Sequence, residues 1–178
     1  MQLFQTILLT LCLISMTHAS DLIAKIKYGD TRDTVTKKLS NYKNLKSTIP
    51  TNMFGRVGLN GSFATTNELA GLKFTLYFDW TNSSGLKEIT YRSEPLVSQS
   101  YDRQLKQKWH YAYNLISAIH GRAINAGEYP KKSEISSGNI QFSHEWKTTT
   151  GYAYLGVGQK ENKYSLNITF SQYSLNTE

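Results

Sequence analysis

Between Gly71 and Ser93 the chain reads GLKFTLYFDWTNSSGLKEITYRS, and apolar and polar residues alternate with a period of two. Only an extended strand sends successive side chains to opposite sides, so the stretch predicts a sheet buried on one face and open on the other. Leu72, Phe74, Leu76, Phe78 and Trp80 are expected inward, and Lys73, Thr75, Tyr77, Asp79 and Thr81 outward. Asn82-Ser-Ser-Gly85 is turn chemistry, after which Ile89 and Tyr91 resume the inner face, so the two runs form a hairpin.

The same rule extends to RVGLNGSF, with Val57, Leu59 and Phe63 on one side. It extends also to NIQFSHEW, with Ile140, Phe142, His144 and Trp146 inward, to GYAYLGVG, with Ala153, Leu155 and Val157, and to KYSLNITFS, with Leu166, Ile168 and Phe170. Two segments follow the helical period instead. In GDTRDTVTKKLSNY, Asp30 or Thr31 caps the first turn and Val35, Leu39 and Tyr42 share a side. Further on, Tyr101, Leu105, Trp109, Ala112, Ile116 and Ile119 form an apolar stripe that ends at Gly121, a residue suited to a helix C-cap.

The halves match locally. Gly71 corresponds to Gly151 at an offset of 80, and Ile89-Thr90-Tyr91 to Ile168-Thr169-Phe170 at an offset of 79. The expected fold is therefore α+β: two tandem α-β-β-β units, about 21–95 and 96–178, with antiparallel sheet and helices packed on one face. The segment KIKYGDTRDTVTKKL resembles the opening motif of small bacterial envelope modules related to outer-membrane-assembly lipoproteins and the β-lactamase-inhibitor-protein repeat. That resemblance implies a module that binds proteins and catalyses nothing.

Residues 1–19, MQLFQTILLTLCLISMTHA, carry no Asp, Glu, Lys or Arg and end with small residues at Thr17 and Ala19, which reads as an export signal cleaved after Ala19. The apolar run is too short and too interrupted for a membrane anchor, so no stable membrane insertion is expected after cleavage. Cys12, the single cysteine, lies inside this leader, so neither a disulfide nor a lipid anchor is expected in the mature domain. The expected compartment is the periplasm or the exterior of the cell. There a net charge of +7 points to an envelope protein or an anionic glycan as partner, with no role for nucleic acid. The plainer meaning of that charge is solubility, since no long basic run occurs. A monomer is expected.

Chemistry-bearing patterns are sparse. His110, His120 and His144 lack the spacing of metal ligands, and no nucleophile elbow, phosphate loop or dinucleotide fingerprint occurs, so no metal, cofactor or catalytic residue is expected. His120, beside Gly121, reads as a helix-end imidazolium, and His144 as a half-buried histidine with a hydrogen-bond partner. Parity assigns the open face Arg56, Asn60, Lys73, Tyr77, Asp79, Glu88, Arg92, Gln141, Glu145, Tyr152, Tyr154 and Asn167. Of these, Arg56, Lys73, Tyr77, Asp79, Glu88, Arg92, Glu145, Tyr152 and Tyr154 are the candidate binding residues, because Tyr and Arg concentrate at recognition hot spots. The expected function is non-enzymatic binding. The alternatives are hydrolysis of cell-wall or extracellular glycan through the outward carboxylates, and a purely structural envelope role.

Overall fold

The structure is a computed structural model that describes residues 25–69 and 71–175; the expected leader lies outside them. Helix α1, Arg32–Ser40, starts where Thr31 Oγ1 accepts the Thr34 N–H (3.4 Å), and it buries Val35 and Leu39. Asp30 takes a different task, accepting from the Lys27 N–H at 2.8 Å and from Lys38 Nζ at 2.6 Å. Strand β1, Leu45–Ser47, a short helix α2, Phe54–Val57, and β2, Phe63–Thr65, lead to the hairpin β3, Phe74–Trp80, and β4, Leu86–Ser93. After β5, Leu96–Val97, a π-helical turn at Tyr101–Leu105 runs into α3, Lys106–His120. The strands β6, Asn125–Ala126, β7, Ile140–Lys147, β8, Tyr152–Lys160, and β9, Lys163–Ser171, complete the chain.

All strand pairs are antiparallel, in the order β1-β2-β3-β4-β9-β8-β7-β6, with β5 also on β9. Each half contributes a helix and then strands that run from the sheet edge to its centre, where β4 meets β9. Along the main strand order each half contributes four strands, with β5 of the second half an addition on β9; the short edge strands β1 and β6 escape a pattern test that needs several alternations. At the junction Thr90 faces Thr169, Ile89 faces Phe170 and Tyr91 faces Ile168. Exchanging the two halves leaves that pairing and the strand order unchanged. Beyond Ser93 the ladder is interrupted at Glu94-Pro95, and Ser93 Oγ accepts the Leu166 N–H (2.9 Å) in place of a backbone partner.

One apolar core lies under the inner face, where Phe74, Leu76, Ile89, Tyr91, Leu155, Leu166 and Ile168 meet Val35 and Leu39 of α1 and Trp109, Ala112 and Ile116 of α3. Gly121 ends α3 with φ +81° and its N–H on the Ser117 carbonyl. The stripe extends to Leu115, whereas Ile119, expected inward, is 39% exposed as the helix rotates off the sheet.

Three segments depart from strict alternation. At the end of the β3–β4 hairpin Asp79 faces Glu88 while Trp80 faces Leu86, so Lys87 is the extra residue of a bulge. RVGLNGSF is no continuous strand: Arg56 and Val57 belong to α2 and are exposed, and Gly58 and Gly61 hold positive φ, which ends extended pairing until Phe63. In β7 a bulge at Ser143 shifts the register, because Phe142 faces Gly156 while His144 faces Leu155. Ile140 and Phe142 consequently lie on the outer face, against the expected inward placement, and His144 and Trp146 remain inward. Trp80 and Phe170 are half-buried at the margins of the inner face.

Candidate functional site

The outer face is less open than alternation alone implies. Its centre consists of short polar residues that satisfy one another: Thr90 and Thr169 share a hydrogen bond of 2.9 Å, and Asn167 Nδ2 donates to the carbonyl and hydroxyl of Ser165. Asn167 and Thr169 are fully buried, and Thr90 is 6% exposed. Beside them, Gly156 and Gly158 of β8 leave room for Ile140 and Phe142; a Cβ on Gly156 would stand 2.6 Å from the Gln141 carbonyl and 2.9 Å from the Phe142 ring.

Glu145 and Tyr154 do point outward but lie beneath the C-terminal segment. Tyr154 Oη donates to Glu145 Oε1 (2.8 Å) and accepts the Leu175 N–H (2.8 Å), while Ser174 Oγ reaches the same carboxylate at 3.0 Å. Both residues are at most 3% exposed, so they act as a buried clamp and offer no contact surface. Arg56 is on α2 and belongs to no strand of the sheet. Asn60 is also off the sheet, its Oδ1 accepting the Phe78 N–H.

The remaining candidates fall into groups. Toward one end, the Arg92 guanidinium stacks over the Tyr77 ring at 4.3 Å and its Nε donates to Asn167 Oδ1 (3.2 Å). Lys73, exposed, faces Glu94 across the β3–β4 ladder, where the Glu94 N–H reaches the Lys73 carbonyl, and is diagonal to Arg92, which faces Thr75. Toward the other end, Asp79 faces Glu88 directly. The Lys87 ammonium, 2.8 Å from Asp79, holds that carboxyl below its ordinary range, whereas burial pushes Glu88 up against the opposing hydrogen bond from Thr90. On β8, Lys147 covers the Tyr152 ring at 3.9 Å.

Sequence reasoning missed Tyr28, whose half-buried hydroxyl is pushed up to about 12 by burial and by the nearby Glu88 and Tyr154. It also missed Phe142, which packs on Tyr154 with ring centroids 5.3 Å apart. Alternate glycines in GYAYLGVG were the available signal, because glycine inside a strand marks a close approach by something bulky.

His144 and His120 pack against aromatic rings. His144, on the inner face, sits among the rings of Trp109, Tyr113 and Trp146 with Nδ1 3.2 Å from Ser143 Oγ, and burial lowers its pKa. Ser143 is committed elsewhere, donating to the Leu155 carbonyl and accepting from Trp109 Nε1, so the neighbouring hydroxyl and imidazole form no nucleophile and base pair. Burial lowers His120 too, and it packs near Phe170, which favours neutral imidazole over the expected helix-end cation.

A cavity of about 290 Å³ is lined by residues 127–131, Glu134 and Gln141–Ser143, and includes neither the Arg92 nor the Asp79 group. Among the described residues no cluster of His, Cys, Asp and Glu has the makings of a metal site, and no helix is long and apolar enough to cross a membrane. No family model, curated protein or solved structure matches the chain.

Proposed function

We propose that the chain is an exported binding module, without catalysis, whose outer sheet face contacts a partner in the bacterial envelope or outside the cell. The supporting observation is that the face is prearranged without being sealed: Arg92, held by Asn167, stacks on Tyr77, and Lys147 covers Tyr152, beside a self-satisfied polar floor. Such groups lose little side-chain entropy on association, the condition under which Tyr and Arg become hot spots. The same topology supports reading the two halves as copies of one unit, since their matched Ile-Thr pairs meet at the sheet centre.

Glycan hydrolysis has one observation in its favour. Asp79 and Glu88 face each other with pKa values displaced in opposite directions, the division of labour that a carboxylate pair needs. Against it, the Asp79 side chain is 55% exposed and bound to Lys87, and the cavity described above lies elsewhere, so nothing surrounds a sugar ring at that pair.

The test is capture of partners from envelope extracts by the wild-type chain and by the doubly substituted Tyr77→Ala, Tyr152→Ala chain, alongside a glycan-cleavage assay of Glu88→Gln. Binding predicts a partner lost with the tyrosine changes and no cleavage by any form. Equal capture by both chains removes the face, and cleavage abolished in Glu88→Gln establishes the hydrolase.

A further inference from the structure

Arg92 is the one candidate cation that is half-buried, oriented and unneutralised. Its Nε is committed to Asn167 Oδ1, and that acceptor is itself immobile, because Asn167 is 0% exposed and spends its amide on Ser165. One guanidinium face rests on Tyr77. Among the described residues, the ion pairs involve Lys38, Lys87, Lys131 and Lys132, and none reaches Arg92; its Nη groups find no acceptor. A planar fork fixed at Nε, with both Nη groups free, matches the two oxygens of a carboxylate. The side chain's partial burial reduces the competition from water.

The rest of the face selects the source of that carboxylate. Lys73 lies diagonally across from Arg92 with Glu94 opposite it, so this end carries one net positive charge, but four residues along β4 the sign reverses, where Asp79 and Glu88 outnumber Lys87. The span from Lys73 to Asp79 is six residues, about 20 Å of strand. A uronic-acid glycan carries one sign throughout and would meet repulsion at the Asp79 end. A polypeptide carries both signs.

Resting on the reading of this face as the recognition surface, we propose that Arg92, seconded by Lys73, receives a carboxylate side chain from an acidic stretch of a partner polypeptide whose flanking residues are basic toward Asp79 and Glu88. Asn167 and Tyr77 are positioning residues for the guanidinium.

The experiment follows the Arg92 Nε–Hε resonance of the full chain by NMR during titration with two probes. One is a blocked peptide of about twelve residues, long enough to cross the span, with paired glutamates near one end and paired lysines near the other. The other is an oligogalacturonate of equal negative charge. The proposal expects the peptide to move the Arg92 and Tyr77 signals, Arg92→Gln to weaken peptide binding about tenfold or more, and Arg92→Lys, which keeps charge but loses the fork, to weaken it several-fold. An unmoved Arg92 signal, unchanged affinity in Arg92→Gln, or tighter binding of the oligogalacturonate overturns it. Should Arg92→Gln fail to fold, exposed Lys73→Gln serves instead, and unchanged peptide affinity in that variant overturns the proposal equally. If partners captured from extracts are lost with the tyrosine changes but kept by Arg92→Gln, the binding face stands and the carboxylate receptor falls.

Discussion

Thr90 Oγ1 and Thr169 Oγ1 lie 2.9 Å apart at the junction of β4 and β9, and both residues are buried. Their alternatives differ. Thr90 also reaches Glu88 Oε1 at 3.3 Å, whereas among the described residues the Thr169 hydroxyl bonds only Thr90. Thr90→Val therefore strands a buried hydroxyl and should cost about 1–3 kcal/mol, while Thr169→Val should cost about 1 kcal/mol or less. Urea denaturation of both single variants and the double one should show the double change costing less than the sum. Equal single costs, fully additive, would mean that the pair contributes nothing as a pair.

Gly156→Ala should destabilise the fold by about 1–3 kcal/mol, because the new methyl meets the Gln141 carbonyl, which is backbone and cannot rotate away. Adding Phe142→Ala should not restore stability, since the ring is only the second obstacle. Thermal melts decide this; full rescue by Phe142→Ala would show that ring packing sets the cost.

Burial holds His144 and His120 below their ordinary pKa of 6.5. The unfolded chain then binds more protons than the folded one, so stability is greatest above pH 6.5 and falls as the pH drops through that value toward the lower folded pKa values. His144→Phe, a ring of similar size among Trp109, Tyr113 and Trp146, should flatten part of that loss. Denaturant midpoints between pH 7.5 and 5 measure it, and an unchanged slope in the variant would assign the effect elsewhere.

Tyr154→Phe should cost about 1–3 kcal/mol, because it deprives the buried Glu145 carboxylate of a donor and the Leu175 N–H of its acceptor. Hydrogen exchange should report loosening at residues 173–175 before the sheet itself opens. A variant as stable as wild type, with unchanged exchange there, would show that the clamp is not needed. For the same reason Tyr154 is unsuitable as a probe of binding.

The hairpin was legible because the alternation of β3 runs through seven residues and resumes from Ile89, and β8 and β9 were legible in the same way, with Ala153, Leu155, Val157, Leu166 and Ile168 buried as expected. Helix α1 was legible through Thr31 and α3 through its stripe. What escaped detection has local causes. One inserted residue at Ser143 reverses the parity of everything before it in β7, and no composition signal within NIQFSHEW marks the insertion. Arg56 was misplaced because RVGLNGSF alternates by accident across two glycines that turn the chain. Tyr154 and Glu145 were placed on the correct side, but parity does not say that a terminal segment crosses over them. Tyr77, Arg92 and Asp79, by contrast, lie on the predicted face of the hairpin, and their cation–π and ion-pair contacts became visible only in three dimensions.

The central claim is that recognition occurs on the outer sheet face. Its most direct test is chemical-shift mapping of the isotopically labelled chain with a partner recovered from envelope extracts. The account predicts shifts concentrated on Tyr77, Arg92 and Tyr152, with the exposed sides of α1 and α3 unmoved. Shifts confined to those helices, leaving the three sheet residues unchanged, would contradict it.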